Sequence, residues 1–489
     1  MTRLNTFRHP QHSIFQSLVE GVASKLGDTL GLDSGAPERG NSADQPRLGP
    51  GHPAADVAHA ITQHQAAQPA DAPQPVPETP PKDLQEKHPG VVHKLWDCAR
   101  LAAEALAAKH RGDLAKALAK RDELDFSSCD PRWAESVTTY LSFLDSNAHG
   151  KIPYVRYRRM SDFVLPTLPA DAKVALVGDW GTGTSDAIAL MRQVAKHQPD
   201  VVIHLGDIYY SGTPEETKKF FLDIVDEVFE RDKQPVAVYN LTGNHDMYSG
   251  GAGYYGLLPQ LNPPPLFSAA QAQRASYFAL RSDAWQLLAM DTGLHDRDPF
   301  TVSSDVTFLD PKEEDWHVDK IRSFSRGGGR TVLLSHHQLF SAHERIGGDD
   351  TVKPTGEEAT NPKLMSSYRK FQQAAAEGTG DLAAWFWGHE HNLCVYQPTL
   401  GLAKGRCIGH GAIPALVEAD PYAPNPKVPN PPQMVEDPAN PGQPLRLGVV
   451  DESYAHGFVI LRLDDQRRQA TASYYQETDW SRPMYREVL

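Results

Sequence analysis

The stretch VVIHLGDIYY, residues 201–210, decides the fold. Val201 to Leu205 is apolar except for His204 and runs into Gly206-Asp207, so it reads as a short strand buried on both faces, ending in a turn and a carboxylate. Upstream, Val174-Ala175-Leu176-Val177-Gly178-Asp179 repeats the pattern. Downstream, further apolar runs lead into Gly243-Asn244-His245-Asp246, Ser335-His336-His337 and Gly388-His389-Glu390-His391. Open α/β sheets present their ligands at the carboxyl ends of strands. Five such ends carrying hard oxygen and imidazole donors are not explained by core packing and point to a metal centre.

The 489-residue length allows two or three domains, and a 40% hydrophobic content allows a sizeable core. An excess of 62 acidic over 48 basic residues, a net charge of −14, argues against nucleic-acid binding, and any phosphorylated substrate would be held by metal and not by a basic surface. No run reaches the ~18 apolar residues of a transmembrane helix and the first residues lack a secretory h-region, so the expected location is cytoplasmic. The four cysteines, Cys98, Cys129, Cys394 and Cys407, are too scattered for a disulfide framework or a CxxC zinc site and read as reduced packing residues.

Residues 1–88 are rich in Pro, Ala, Gln, Gly and Asp and read as a disordered tail, with one amphipathic helical pattern at 13–32. Residues 89–165 read as a helical module, with helices expected within 91–124 and 131–144. From 170 to 489 short apolar runs alternate with helical stretches, an α/β (α+β) pattern. Strands are expected at 174–177, 201–205, 236–241, 276–280, 286–290, 331–334, 382–386, 392–396 and 458–463, and helices at 186–196, 215–229, 312–324 and 363–377. Residues 411–447 carry ten prolines, which excludes a central strand or helix and suggests a surface excursion or a lid.

The blocks assign chemistry by donor type. Asp179 and Asp207 offer carboxylates, and Asp207 is the choice for a carboxylate bridging two cations. Asn244 offers a neutral oxygen, while His389 and His391, two apart just past a strand end, can turn to one centre. His204, inside an apolar strand, reads as a hydrogen-bonded core histidine. Trp180 covers the metals or packs. His456, Tyr254 and Tyr255 are weaker candidates for substrate contact.

Taken together, Asp179-x-Gly181, Gly206-Asp207-x-x-Tyr210, Gly243-Asn244-His245-Asp246, the strand ending in His336 and Gly388-His389-x-His391 resemble the calcineurin-like metallophosphoesterase superfamily, and within it most closely the purple acid phosphatase branch. The resemblance covers about 172–411 and extends to closing strands near 478, leaving the first 165 residues outside. It implies a four-layer αββα sandwich and a hydrolase of phosphate esters, in which a metal-bound hydroxide attacks phosphorus in a phosphomonoesterase of acid phosphatase type. Two alternatives stand beside this: a phosphodiesterase of cyclic-nucleotide, nucleotide-like or lipid-derived diesters, and a non-catalytic scaffold on the same fold.

Carried over by position, the first metal is bound by Asp179, Asp207, Tyr210 and His391, and the second by Asp207, Asn244, His336 and His389. Phenolate and carboxylate favour Fe(III) at the first site, and the second suits Zn, Mn or Fe(II). Gly181 stands where most branches have histidine, and Tyr210 compensates. Tyr209 is the rival phenol, but its offset and strand alternation place it on the opposite face as a packed aromatic. The resemblance places His245 near the phosphate, stabilising charge or protonating the leaving oxygen. Tyr210 occupies the place of the aspartate that orients this histidine elsewhere, so the partner of His245 stays open. The outer histidines of the purple branch are replaced by Arg345 and Ile346; His337, His343 and Arg345 are the nearby candidates for substrate contact, with His410 as a further pocket residue.

Overall fold

The computed structural model describes residues 151–489 apart from 232–234, 298–305, 347–358, 418–419 and 451–452, together with 79–87 and a few single positions before residue 150. The chain divides into two compact units, Met1–Asp145 and Ser146–Leu489. In the first, a short helix, Lys82–Lys87, lies within the stretch expected to be a structureless tail. The patterns at 13–32, 91–124 and 131–144 lie outside the described residues, except that Trp96, Thr139 and Phe143 are helical.

In the second unit β1 (Lys173–Val177), β2 (Val201–His204) and β3 (Ala237–Asn240) run parallel. β4 (Phe278–Arg281), β5 (Trp285–Ala289), β6 (Arg330–Leu334), β7 (Asp381–Trp387), β8 (Leu393–Val395) and β9 (Gly405–Ile408) form a second sheet in the order β4-β5-β6-β7-β9-β8. Two small hairpins follow, β10 (Glu436–Asp437) with β11 (Asn440–Pro444) and β12 (Val449–Val450) with β13 (Ser453–Tyr454). Finally β14 (Gly457–Asp464), β15 (Gln469–Gln476) and β16 (Tyr485–Val488) complete the first sheet as β16-β15-β14-β1-β2-β3.

Period-two side-chain alternation explains the layering. Val174 and Leu176 of β1, Val201 and Ile203 of β2, and Val459 and Leu461 of β14 point inward to Val332 and Leu334 of β6 and Ala384 and Phe386 of β7, forming the core between the sheets. The alternate residues of the first sheet, Ala175, Val177 and Val202, pack under α1 (Ser185–Lys196), α2 (Asp223–Phe229) and, after the short α3 (Asn244–Tyr248), α4 (Ala252–Leu261). Those of the second, Leu333, Trp385 and Trp387, pack under α5 (Pro311–Ser325) and α6 (Pro362–Ala376). This is the αββα sandwich. All nine expected strands are present, and β9, β15, β16 and the hairpins are additional. The expected helix at 215–229 contains a π-type turn, Thr217–Leu222.

Residues 151–165, assigned to the helical module from sequence, contain no helix and run along the second unit, where Arg156 pairs with Asp310 and Leu165 donates its N–H to Ala279. The proline-rich segment avoids both main sheets, as proline requires, but it is docked: Tyr422 is buried, its hydroxyl bonded to the Leu393 carbonyl. Cys394 and Cys407 are reduced and face each other across β8 and β9.

A buried ionic clasp ties the two sheets at one edge. Glu487 of β16 accepts from Arg406 of β9 at 2.6 and 2.7 Å, from Lys404 at 2.9 Å and from the Tyr474 hydroxyl at 2.7 Å. Burial pushes its carboxyl up, but Arg406, Tyr474 and Lys404 outweigh burial and hold it at about 2. A carboxyl depressed by folding contributes stability above its unfolded value, and that contribution fades as pH falls towards the folded value. Glu487→Gln is therefore expected to lose about 3 kcal/mol at pH 7 by urea unfolding, with the gap to the parent closing between pH 4.5 and 2. Coincident urea midpoints at pH 7 would refute the clasp.

Candidate metal centre

The five blocks occupy the loops at the carboxyl ends of β1, β2, β3, β6 and β7, and they meet because the two sheets present these ends to one side. Backbone geometry sharpens the turns. Asp179, Asp207 and His389 adopt left-handed φ values of 53°, 72° and 68°, conformations that cost non-glycine residues of order 1–3 kcal/mol and recur at functional sites. Gly181 is bridged to Ile208, and a Cβ there would sit 2.9 Å from the Asp207 carbonyl oxygen, so no histidine fits at this position.

The donors converge around Asp207. Its Oδ2 lies 3.4 Å from His336 Nε2 and 3.9 Å from His245 Nε2. On one side, Asp179 Oδ1 accepts from the Tyr209 hydroxyl at 3.0 Å, and His391 Nε2 lies 3.0 Å from that hydroxyl and 3.6 Å from Asp179 Oδ1. On the other, Asn244 Oδ1 is 3.3 Å from His336 Nε2 and 3.2 Å from His389 Nδ1, and the two imidazole nitrogens are 3.2 Å apart. Asp179, Asp207 and His336 form one cluster suited to holding a cation, and His336, His337 and His389 another.

A surrounding layer of hydrogen bonds aims these donors. His336 donates Nδ1–H to the Leu205 carbonyl at 3.0 Å, which turns its Nε2 lone pair inward. Asn244 donates its amide to the Tyr248 hydroxyl at 2.7 Å, leaving Oδ1 for the centre. His245 Nδ1 bonds the Tyr210 carbonyl at 2.7 Å, so a backbone oxygen orients the ring from this side. Asp246 points away from His245: its Oδ2 accepts from the N–H groups of Asp207 and Gly243 at 2.9 and 2.8 Å, stapling two ligand loops together. Glu216 closes a capping box with Thr213 and also accepts from the Tyr210 and Ser211 N–H groups, fixing the loop that carries both tyrosines.

The charges explain why cations fit. Burial raises the Asp179 carboxyl, and although His336 pulls it down, the adjacent Asp207 charge adds to the rise. Asp207 stays low despite burial because His336 and His245 stabilise its charge, and burial of His336 is in turn outweighed by Asp207 and Asp179, which raise its imidazole. Two buried carboxylates, an amide oxygen and imidazole lone pairs held inward form a set that two divalent or trivalent ions would satisfy.

Six of the seven expected metal-site residues, Asp179, Asp207, Asn244, His336, His389 and His391, thus come together, and His245 joins them. For the seventh, Tyr210, the structure shows the backbone carbonyl meeting His245, and the phenol hydroxyl beside Asp179 and His391 is that of Tyr209. Strand alternation does not reach these residues, because β2 ends at His204 and the chain turns through Gly206 and Asp207, both with positive φ. His337 is buried, its ring nitrogens bonded to Thr292 and Asp296. His343 packs against Tyr422 and the proline-rich segment. His410 is buried beside Gly457.

Trp180 packs on Phe221 and donates to the Ala187 carbonyl, and His204 bonds Asn240 in the core. Tyr254 donates to the Asn240 carbonyl, Tyr255 to Ser276, and His456 lies 3.9 Å from Asp186. Of the contributors missed from sequence, Glu216 was visible as the box Thr213-x-x-Glu216, whereas Tyr248, Thr292 and Asp296 left no local signal.

Residues 172–393 match the family model described as calcineurin-like phosphoesterase, which supports that superfamily and a metal-dependent phosphoester hydrolase for this part of the chain. No curated protein matches the chain. Among solved structures it is similar to GAP50, the anchor in the inner membrane complex of Plasmodium, with 10% identity over 66% of this chain and 89% of that one and a TM-score of 0.39. It is also similar to a dimetal phosphatase from Danio rerio, with 11% identity over 66% and 98% and a TM-score of 0.34. Vps29 from Entamoeba histolytica, in a single-mutant form, gives 12% identity over 65% and 98% and a TM-score of 0.24.

Removing the Asp246 acceptor leaves two buried N–H groups unbonded, so Asp246→Ala is expected to cost about 2 kcal/mol in urea unfolding, whereas Asp246→Asn, which keeps an oxygen, costs less. Equal loss in both variants would show that the staple is not the cause. Protons held on Asp179 and His336 must leave before metal enters. Metal affinity measured by titration calorimetry is therefore expected to rise as pH increases above the ordinary carboxylate range, and a flat profile between pH 5.5 and 8 would contradict these charge assignments.

Proposed function

We propose that the second unit is a hydrolase of phosphate esters with a dinuclear metal centre, of acid phosphatase type and acting on small-molecule phosphomonoesters. The observation that carries this reading is the gathering around Asp207 of donors from four other loops, with outer hydrogen bonds aiming His336 and Asn244. Asp179, Asp207, Tyr209 and His391 would hold the first ion, and Asp207, Asn244, His336 and His389 the second. A phenol and two carboxylates suit Fe(III) at the first position, and two imidazoles with an amide oxygen suit Zn, Mn or Fe(II) at the second. When bound, such ions supply Lewis-acid polarisation of the phosphoryl oxygens and activation of a water nucleophile.

The chain's own residues do the rest. Asp207 stands between the two donor groups, where its charge would reduce the repulsion between two bound cations. His245, with Nδ1 on the Tyr210 carbonyl, presents Nε2 towards Asp207 and the reacting phosphate, where it can deliver a proton to the leaving oxygen. Tyr248 and Leu205 keep Asn244 and His336 in register with the charge that develops. A cytoplasmic location is part of this reading. Among the described residues no helix is long and apolar enough to cross a membrane.

The subgroup reading is tested by metal content and a visible spectrum. The expected charge-transfer band disappears in Tyr209→Phe and persists in Tyr210→Phe; the reverse pattern would return the phenolate to Tyr210. For the activity, the protein is expected to hydrolyse p-nitrophenyl phosphate and leave the bis ester almost untouched, with kcat lowered about 10²-fold or more in His245→Ala. Preference for the bis ester would transfer the site to diesters. Undiminished turnover in Asp207→Ala would remove the dinuclear mechanism.

A further inference from the structure

His336 and His337 are neighbours in sequence, yet their side chains part. His336 turns towards Asp207 and Asn244, whereas His337 is locked into the loop that follows β5. Its backbone N–H donates to Thr292 Oγ1 at 3.0 Å, its Nδ1 lies 3.0 Å from the same oxygen, and its Nε2 lies 2.9 Å from Asp296 Oδ2. The roles resolve without conflict. A carboxylate can only accept, so Nε2 carries the proton; Nδ1 then accepts the hydroxyl hydrogen of Thr292, whose oxygen accepts the backbone N–H. Both ring nitrogens are engaged by the protein, although one of them lies within 4.8 Å of the ligand atoms of His336 and His389.

The face of the ring carries the remaining contact. His337 lies against His389, with centroids 4.5 Å apart and planes tilted by 38°, and it meets His336 edge-on at 4.8 Å. His389 needs such support. It sits at a left-handed backbone position after Gly388, its N–H is engaged by Asp179, and its Nδ1 must point at Asn244 and His336. An imidazole packed against its face blocks rotation away from that direction. The β5 loop anchoring His337 also touches the Asn244 loop: the Thr242 hydroxyl donates to Asp291, and a Cβ on Gly293 would strike the Gly243 carbonyl oxygen at 2.4 Å.

We infer that His337, held by Thr292 and Asp296, is a positioning residue that fixes His389 and thereby determines how tightly the second metal is retained, and is not a substrate contact. The inference rests on the dinuclear reading of the site. It assigns a role to the Thr292-Asp296 loop and converts a substrate candidate from sequence into a buttress. Outer groups that orient metal-binding histidines typically contribute 10- to 100-fold to metal affinity.

The test uses the full chain loaded with Zn(II) or Mn(II), with bound metal counted after dialysis against graded chelator, and helical signal and thermal midpoint recorded for the metal-free forms. The parent should hold two ions per chain. His337→Ala should hold the second about 10- to 100-fold more weakly while retaining the first, and Asp296→Asn should show a smaller loss in the same direction. His337→Phe, which keeps the ring but loses both hydrogen bonds, should fall between the parent and His337→Ala and guards against a variant that fails to fold. Unchanged retention of both ions with only a raised KM would make His337 a substrate contact and overturn the inference. X-ray absorption showing one more imidazole on the parent's metals than on those of His337→Phe, at equal metal content, would overturn it by making His337 a ligand. A parent holding fewer than two ions would refute the dinuclear reading first, and the inference with it.

Discussion

Two carboxylates, Asp179 and Asp207, are buried at neighbouring strand ends, and the cost of keeping like charges out of water organises everything around them. Asp207 survives as an anion because His336 and His245 face it, while Asp179 is pushed towards its protonated form. Such an arrangement is poor as pure scaffolding. It becomes sound when cations supply the missing positive charge, which ties the electrostatics of the centre to its chemistry.

The sandwich makes that burial possible. Strands covered on both faces leave only their ends for polar groups, and the parallel β1-β2-β3 and β5-β6-β7 sets place successive carboxyl ends side by side. The outer hydrogen bonds are largely backbone ones: Leu205 and Tyr210 carbonyls orient two histidines, and the N–H groups of Asp207 and Gly243 meet Asp246. A site oriented by backbone atoms is fixed by the fold as a whole, which is why its outer layer is hard to recognise from side-chain identity.

Much of the fold is legible in the order of residues alone. Nine strands follow from short apolar runs, and six donors follow from residue type at their ends. What escapes has physical reasons. Short edge and hairpin strands such as Glu436–Asp437 lack an apolar period, and the extended segment 151–165 sits beside a sequence rich in helical pattern. Gly181 can be recognised as unusual, but the tight approach of Asp207 and Ile208 that demands it is visible only in three dimensions.

Residue identity sets the chemistry on offer: carboxylates, an amide, imidazoles and adjacent phenols, each placed just beyond a buried strand. Their directions come from the folded chain. Within a strand, alternation assigns faces, but beyond Gly206 and Asp207 the chain leaves extended geometry, so only long-range contacts could select Tyr209 over Tyr210. The same holds for His245 and His337, whose partners Tyr210, Thr292 and Asp296 lie 35, 45 and 41 residues away. Side-chain type is a local property, whereas hydrogen-bond direction is set by whatever the folded chain brings opposite.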